Sequence, residues 1–136
     1  MGFYLEIITP DKKFVSEEAD KIVCPGEAGV FCVLPGHAPM LSLLKLGELR
    51  YVDSTRSNEH FMVVTGGYVE VTQDKVSVLA DECVRPRDII LSQAEADMAK
   101  AEEKLKTVDK DTEAYRKAKW NLDYAQAVVK LGQKLQ

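Results

Sequence analysis

The chain has 136 residues, a mass of 15.2 kDa and a formal net charge of −4, with 46% hydrophobic and 29% charged residues. This length allows one good hydrophobic core with an appendage and excludes two full enzyme domains. No window approaches the roughly 18 consecutive apolar residues of a membrane-spanning helix. Residues 1–87 hold 9 Lys/Arg against 13 Asp/Glu, and residues 88–136 hold 9 against 9, so neither part has the basic stripe of a nucleic-acid-binding protein.

Short runs of high β propensity follow one another from Phe3 to Ala80, separated by turn-type sequences such as PGEAG, LPGHAP and GG. The runs are FYLEII, ADKIVC, ELRYVD, HFMVVT, YVEVT and KVSVLA. Strands at this spacing, with no helical pattern between them, are typical of an antiparallel β-sandwich. The sequence therefore predicts a β-sandwich domain over residues 1–87.

After residue 87 the apolar period changes to that of helices. Ser92 stands three residues before Glu95, which predicts a capping box at the start of a first helix. The apolar seam of this helix comprises Ala94, Met98, Ala101, Leu105 and Val108. A second helix is predicted from near Thr112, with its seam at Tyr115, Ala118, Leu122, Ala125, Val129 and Gly132. The short turn between them predicts an antiparallel helical hairpin over residues 88–136, and the whole chain is predicted to be of the α+β class.

A second apolar row on the second helix is displaced from this seam. It consists of Trp120, Tyr124, Ala127, Leu131 and Leu135. A two-helix hairpin alone has nothing with which to cover such a row. The row either packs on the β-domain or is a surface for a partner, and the residues alone leave both interpretations open.

Catalytic and metal-binding arrangements are not recognisable in the sequence. The three cysteines, Cys24, Cys32 and Cys83, show neither a CxxC nor a Cys/His ligand spacing, and we expect them to be reduced thiols. An enzyme that uses Cys24, Cys32 or His37 lacks any Ser/His/Asp, Cys/His or two-carboxylate arrangement. We therefore expect no catalytic residues, metal or cofactor.

Two motifs in a fixed order carry a resemblance. GEAGVFCVLPGHAPMLSLLKLGELR is followed by VTGGYVEVTQDKVSVLADECVRPRD and then by the predicted hairpin. In this order the chain resembles the epsilon subunits of F-type proton-translocating ATP synthases, whose mitochondrial counterpart is called delta. The resemblance covers essentially the whole chain. It implies a non-catalytic rotor subunit whose sandwich fastens the gamma subunit to the c-subunit ring. It also implies a helix pair that folds down on the sandwich or extends toward the catalytic alpha and beta subunits, the extended form inhibiting ATP hydrolysis.

The resemblance also places site residues. Val30, Phe31 and His37, taken as turn residues, would face the loops of the c ring. The residues that would lie beside gamma are Thr9, Met40, Leu41 and Ser42. A purely structural role of the turn histidine is the alternative for His37. Relatives commonly carry an acidic residue and a glycine near Val30 and Cys32, so the GVFCV of this chain departs from the pattern, and an apolar contact through Phe31 would replace an ion pair.

The second helix carries a net charge of +3 between Thr112 and Gln136. The resemblance implies that its basic residues meet an acidic segment of the beta subunit, and the alternative is that they only keep an exposed helix in solution. The predicted docking or inhibitory residues are Arg116, Lys117, Lys119, Trp120, Tyr124, Lys130, Leu131 and Lys134.

Some relatives bind ATP through an I/L-D-x-x-R-A pattern at the start of the first helix. Here Ile90 stands at the Asp position and Gln93 at the Arg position, so we expect weak ATP binding or none. The alternative function is an ATP-sensing module in which bound nucleotide sets the position of the hairpin. The resemblance further implies a peripheral location at the cytoplasmic face of a bacterial plasma membrane. The charge distribution indicates no nucleic-acid partner.

Overall fold

The computed structural model describes residues 2–134. The chain divides into two compact units, the first ending at Cys83 and the second beginning at Val84. The domain boundary predicted after Arg87 falls within a short 3-10 helix, Pro86–Asp88, and stays a prediction. Neither helix of the described part is both long and apolar enough to cross a membrane.

The first unit is built of β-strands, most of them antiparallel. The strands are β1 (Phe3–Ile8), β2 (Lys13–Gly26), β3 (Gly29–Val33), β4 (Met40–Leu44), β5 (Gly47–Asp53), β6 (Glu59–Val64), β7 (Gly67–Val71), β8 (Lys75–Ala80) and β9 (Cys83–Val84). They follow the order β1-β8-β7-β4-β2-β5-β6-β9, with β3 beside β2. Strands β1 and β2 also pair with each other, so the path β1-β8-β7-β4-β2 returns to β1. This closed arrangement gives the sandwich that the strand spacing predicts.

Three details of the predicted sandwich were wrong. Strands β1 and β8 pair in parallel. Val30 and Phe31 lie within β3 and not in a turn, and the apolar run after LPGHAP forms a strand of its own, β4. Alternation of apolar residues reports the faces of a strand and not its direction or its partner, so the parallel pairing was not accessible from the pattern.

The inward faces of the strands form one apolar core. Leu5 and Ile7 of β1 are fully buried, as are Val76 and Val78 of β8. Full burial of an aliphatic side chain of this size contributes about 1.5–3 kcal/mol relative to exposure. Because residues on one face alternate with those on the other, this core also determines which side chains point outward.

The β5–β6 hairpin contains a buried carboxylate. The Asp53 side chain is 7% exposed and accepts hydrogen bonds from the backbone N–H of Arg56 and from Nε2 of His60, each at 2.7 Å. The His60 ring stacks on Tyr51 with ring centroids 4.6 Å apart. These two hydrogen bonds lower the pKa of Asp53 below its ordinary value of 3.8, and the bond from the Arg56 N–H has the larger effect.

Replacing Asp53 with asparagine is expected to weaken the sandwich near neutral pH and to flatten its acid dependence. A carboxylate with a lowered folded-state pKa contributes stability above its unfolded-state pKa, and this contribution is lost as the pH falls through the lower folded-state value. Urea unfolding from about pH 7 down to about pH 3 measures the effect. The exposed Asp11 serves as the control through Asp11→Asn. Parallel pH profiles of wild type and Asp53→Asn would contradict the prediction.

The second unit contains the two predicted helices, α1 (Leu91–Lys106) and α2 (Glu113–Lys134). A Cβ placed on Gly132 would lie 3.1 Å from Cγ2 of Ile89 and 3.2 Å from Cδ1 of Leu91. The end of α2 therefore approaches the start of α1 closely, which confirms the antiparallel hairpin. The buried residues of the helices all lie on the predicted seams except Leu131; they are Ala94, Ala118, Leu122, Ala125, Val129, Leu131 and Gly132.

The capping box predicted at Ser92 is absent. Helix α1 begins at Leu91, its N-cap is Ile90, and no side chain caps it. Ser92 lies inside the first turn, where its hydroxyl cannot occupy the N-cap position. The second helix begins at Glu113, next to the predicted Thr112, whose Oγ1 accepts a hydrogen bond of 3.0 Å from the N–H of Tyr115.

Candidate functional site

An apolar row crosses the outward face of four neighbouring strands of the sandwich. In register, Leu43 of β4 lies opposite Tyr68 of β7, Tyr68 opposite Leu79 of β8, and Leu79 opposite Ile8 of β1. Leu41 precedes Leu43 on the same face; Leu41 is 69% and Leu43 59% exposed. We call these five residues the outer apolar row. Large exposed apolar side chains gathered on one face of a sheet are typical of a protein-binding surface.

A polar cluster borders this row on strand β1. The Glu6 side chain lies between Lys13 of β2 and Lys75 of β8, and both ammonium groups are 2.6 Å from its carboxylate oxygens. The hydrogen bonds from Lys13 and then Lys75 lower the pKa of Glu6. One carboxylate thus ties three strands together beside the apolar row.

A pocket of about 290 Å³ lies at the end of the row. Its lining residues come from the ends of β1, β7 and β8, and they are Ile8, Thr9, Pro10, Gly67, Tyr68, Leu79, Ala80 and Asp81. The walls are mainly apolar, and Asp81 supplies the one charged side chain among these lining residues. The backbone N–H of Asp81 donates to the carbonyl oxygen of Gly66 at 3.1 Å, which fixes the end of β8.

His37 lies in the turn after β3 and is partly exposed. Its backbone N–H donates to the carbonyl oxygen of Leu34 at 3.1 Å, and its Nδ1 lies 2.7 Å from the carbonyl oxygen of Ala38. Because a carbonyl only accepts, Nδ1 carries the proton and Nε2 is directed away from this bond. Val30 in β3 is 71% exposed. Within residues 2–134, no three His, Cys, Asp or Glu side chains lie together as a metal site requires.

Helix α2 carries exposed basic and aromatic side chains. Trp120 stacks on Tyr124 with ring centroids 5.6 Å apart, and Lys119 forms an ion pair of 2.9 Å with Asp123. Leu131 is fully buried, whereas Leu135 of the same predicted row lies outside the described residues. The predicted basic residues are exposed; they are Arg116, Lys117, Lys119, Lys130 and Lys134.

The start of α1 provides poor chemistry for a phosphate. Ile90 is 70% exposed, and the Gln93 amide donates to Asp97 at 2.9 Å. A pocket of about 240 Å³ in this unit is lined by Asp88 and Asp97 but by no Lys or Arg among the described residues. Asp88 is paired with Arg85 at 3.0 Å, so Asp97 is the carboxylate here that opposes a polyphosphate. Weak or absent ATP binding stays our prediction.

Comparison with known proteins decides the family. Residues 2–86 match the family model described as the beta-sandwich domain of the ATP synthase delta/epsilon chain. This chain belongs to the ATP synthase delta/epsilon-chain family. It is 42% identical over 112 residues to the ATP synthase epsilon chain of Geotalea uraniireducens (strain Rf4). The aligned segment covers 82% of this chain and 80% of that one. It is 44% identical over 102 residues to the epsilon chain of Myxococcus xanthus (strain DK1622), covering 75% and 74%.

Solved structures show the same fold in more distant proteins. A chain of the Euglena gracilis mitochondrial ATP synthase superposes with a TM-score of 0.82 at 19% identity, covering 99% of this chain and 82% of that one. A chain of the Tetrahymena thermophila mitochondrial ATP synthase superposes with a TM-score of 0.65 at 18% identity, covering 99% and 96%.

The family confirms the predicted epsilon-type subunit and the α+β class. This epsilon-family chain is accordingly a non-catalytic ATP synthase subunit and not an enzyme that uses its cysteines or His37.

The predicted gamma-facing residues of this epsilon-family chain have different environments. Leu41 belongs to the outer apolar row, and Thr9, which is mostly buried, lines the pocket. Met40 packs against the core and Ser42 is half-buried, since alternation along β4 turns both away from Leu41. Of the three predicted c-ring residues, Val30 is exposed, His37 is partly exposed, and Phe31 packs against the core.

Sequence reasoning missed most of the outer apolar row. The sequence predicts Ile8, Tyr68 and Leu79 only as strand residues, and it assigns Leu43 to no strand. The signal was present in LSLL, where the outward Leu41 and Leu43 alternate with Ser42 and the buried Leu44. In GYVEV the outward face carries Glu70 beside Tyr68, so that strand showed the signal at one position alone. An antiparallel strand with both faces apolar needs a cover on both faces.

Proposed function

We propose that this epsilon-family chain is a central-stalk subunit of a bacterial ATP synthase, which couples the gamma subunit to the c ring through its sandwich and restrains ATP hydrolysis through its helices. The outer apolar row carries this proposal, because a surface of this kind requires a protein partner. The similar chains of known structure come from assemblies described as OSCP/F1/c-ring and as central stalk/c-ring. We place the complex at the cytoplasmic face of the plasma membrane, with this chain peripheral to the bilayer.

The sandwich is the proposed attachment module. The face with Leu41 and the pocket residue Thr9 is assigned to gamma, together with Met40 and Ser42, which support this strand from behind. The exposed Val30 and the turn with His37 are assigned to the polar loops of the c ring, with Phe31 anchoring the strand to the core. A rotor component must carry torque, and a core that joins nine strands provides a rigid body for that purpose.

The helical hairpin is the proposed regulatory element. Its seam contains small residues such as Ala94, Ala118 and Gly132, so the two helices bury little apolar area between them. A pair held this weakly can adopt a second arrangement within a few kcal/mol of the first. The exposed basic residues of α2 then provide a surface for an acidic segment of the catalytic beta subunit, with Trp120 and Tyr124 as docking residues. Leu131, which is buried in the described arrangement, joins them only in the second one.

Removing the helices is expected to separate attachment from restraint. The full chain and a version ending at Arg87 are added to the catalytic complex freed of this subunit, and gamma capture and ATP hydrolysis are measured. We expect both versions to bind gamma and only the full chain to slow hydrolysis. A full-length variant with the basic residues changed to glutamine is expected to bind gamma and lose the restraint; the changed residues are Arg116, Lys117, Lys119, Lys130 and Lys134.

Three outcomes contradict parts of this proposal. If neither version binds gamma, the attachment role is wrong. If both bind and neither slows hydrolysis, the hairpin has no restraining role. If the glutamine variant restrains as well as the wild type, the lysines and the arginine serve only as a solvated helix face.

A further inference from the structure

We propose that the pocket at the end of the outer apolar row receives one cationic side chain, an arginine or a lysine, of the partner chain that covers this face. The inference rests on the proposed function, since it assumes that a partner lies on the row. It adds a specific anchor whose chemistry is determined by Asp81.

The shape of the pocket suits a single side chain. Its volume of about 290 Å³ lies at the lower limit of small-molecule pockets, which begin at about 300 Å³. Ile8, Pro10 and Leu79 supply apolar walls that match the aliphatic stem of a lysine or arginine. The lack of a side chain on Gly67 lets the backbone of β8 pack directly against it, so the pocket is shaped by the neighbouring side chains. A long stem can therefore enter where the row ends.

The charge in the pocket selects a cation. The exposed Asp81 carboxylate forms no ion pair within the part of the chain that the structure describes, whereas the nearby Glu6 is paired with both Lys13 and Lys75. A partner that covers the row removes water from Asp81 as well. A carboxylate that loses water without a compensating donor opposes binding strongly. The partner must therefore supply a cation or lose affinity at this position.

The aromatic wall of the pocket favours the same occupant. Tyr68 lines the pocket and belongs to the row, so its ring lies where a side chain entering from the row passes. The faces of aromatic rings attract ammonium and guanidinium groups. The hydrogen bond between the Asp81 N–H and the Gly66 carbonyl holds the backbone under the carboxylate. The anchor is thus formed before the partner arrives.

The test measures binding of the full chain to a gamma-containing stalk complex at about 50 and about 300 mM salt. Asp81→Asn keeps the shape of the side chain and removes its charge, and we expect it to weaken binding about 30-fold or more at low salt. Asp81→Glu keeps the charge and is expected to retain most of the affinity. The control is Asp74→Asn, an exposed carboxylate at the other end of the β7–β8 hairpin, which is expected to bind as the wild type does. Urea unfolding of each variant shows that the sandwich is intact.

A further variant separates the two levels of the proposal. Leu43→Glu places a charge in the outer apolar row itself. If Leu43→Glu abolishes binding and Asp81→Asn has wild-type affinity and salt dependence, the cationic anchor is overturned and the interface stands. If neither variant affects binding, the interface is wrong and the anchor with it. The anchor is supported if Asp81→Asn loses affinity and salt dependence while Asp74→Asn binds as the wild type does.

Discussion

Gly67→Ala is expected to lower the free energy of unfolding of the sandwich by about 3 kcal/mol or more. The backbone of Gly67 has φ +116, a conformation that side-chain-bearing residues rarely adopt. A Cβ at this position would also overlap the carbonyl oxygen of Leu79 and lie 2.9 Å from Cα of Ala80. Both atoms belong to the backbone of β8, so relief requires that the β7–β8 pairing itself shift. Urea unfolding followed by circular dichroism measures the loss.

Gly29→Ala is the matched control for this prediction. Gly29 has φ +137, and a Cβ placed on it meets nothing within 4 Å. Its substitution therefore costs backbone strain alone, about 1–3 kcal/mol. Equal losses in the two variants would show that β8 moves aside without penalty, and the clash would then have no part in requiring glycine at position 67.

A double substitution in the outer apolar row, Leu41→Glu with Leu43→Glu, is expected to reduce binding to gamma by at least about 100-fold while the sandwich stays folded. Both side chains point away from the core and are mostly exposed, so the isolated chain tolerates the charges. In the complex two carboxylates would be buried on an apolar surface without partners, which costs several kcal/mol. Titration calorimetry with the gamma-containing complex measures the affinity.

Val30→Glu provides the comparison for the double variant. Val30 is as exposed as Leu41 but belongs to β3, which lies outside the four strands of the row. We expect Val30→Glu to leave gamma binding unchanged and to weaken attachment to the c ring. If Val30→Glu reduces gamma binding as strongly as the double variant, the two surfaces are not functionally separate.

The features of this fold that could be predicted depend on residues close together in the sequence. The seam of the hairpin, from Ala118 to Val129, follows from helical spacing, and the structure buries it. The start of the second helix near Thr112 also follows from local sequence, and α2 begins at Glu113. The turn around His37 follows from its flanking prolines and glycine.

The part that could not be predicted depends on residues far apart in the sequence. The neighbour of β1 in the sheet, β8, lies at the other end of the sandwich sequence. The outer apolar row exists only because register brings Leu43, Tyr68 and Leu79 side by side. The error at Ser92 also depends on residues far apart in the sequence, since Leu91 lies beside Gly132 at the end of α2, and this contact favours a first turn that begins before the capping sequence.

The parallel pairing of β1 with β8 also sets an order of events during synthesis. Tyr4 lies opposite Lys75 and Ile8 opposite Leu79. Strand β1, which leaves the ribosome first, therefore cannot complete its pairing until β8, nearly the last strand of its unit, has been synthesised. Contacts of such long sequence separation form slowly, on a scale of about milliseconds to seconds, whereas helix pairs with local contacts form in about microseconds to milliseconds. We therefore expect the helical hairpin, although it is translated last, to fold before the β-strand unit or together with it. A nascent chain that stalls before Lys75 leaves one edge of β1 without a neighbour and open to pairing with other chains.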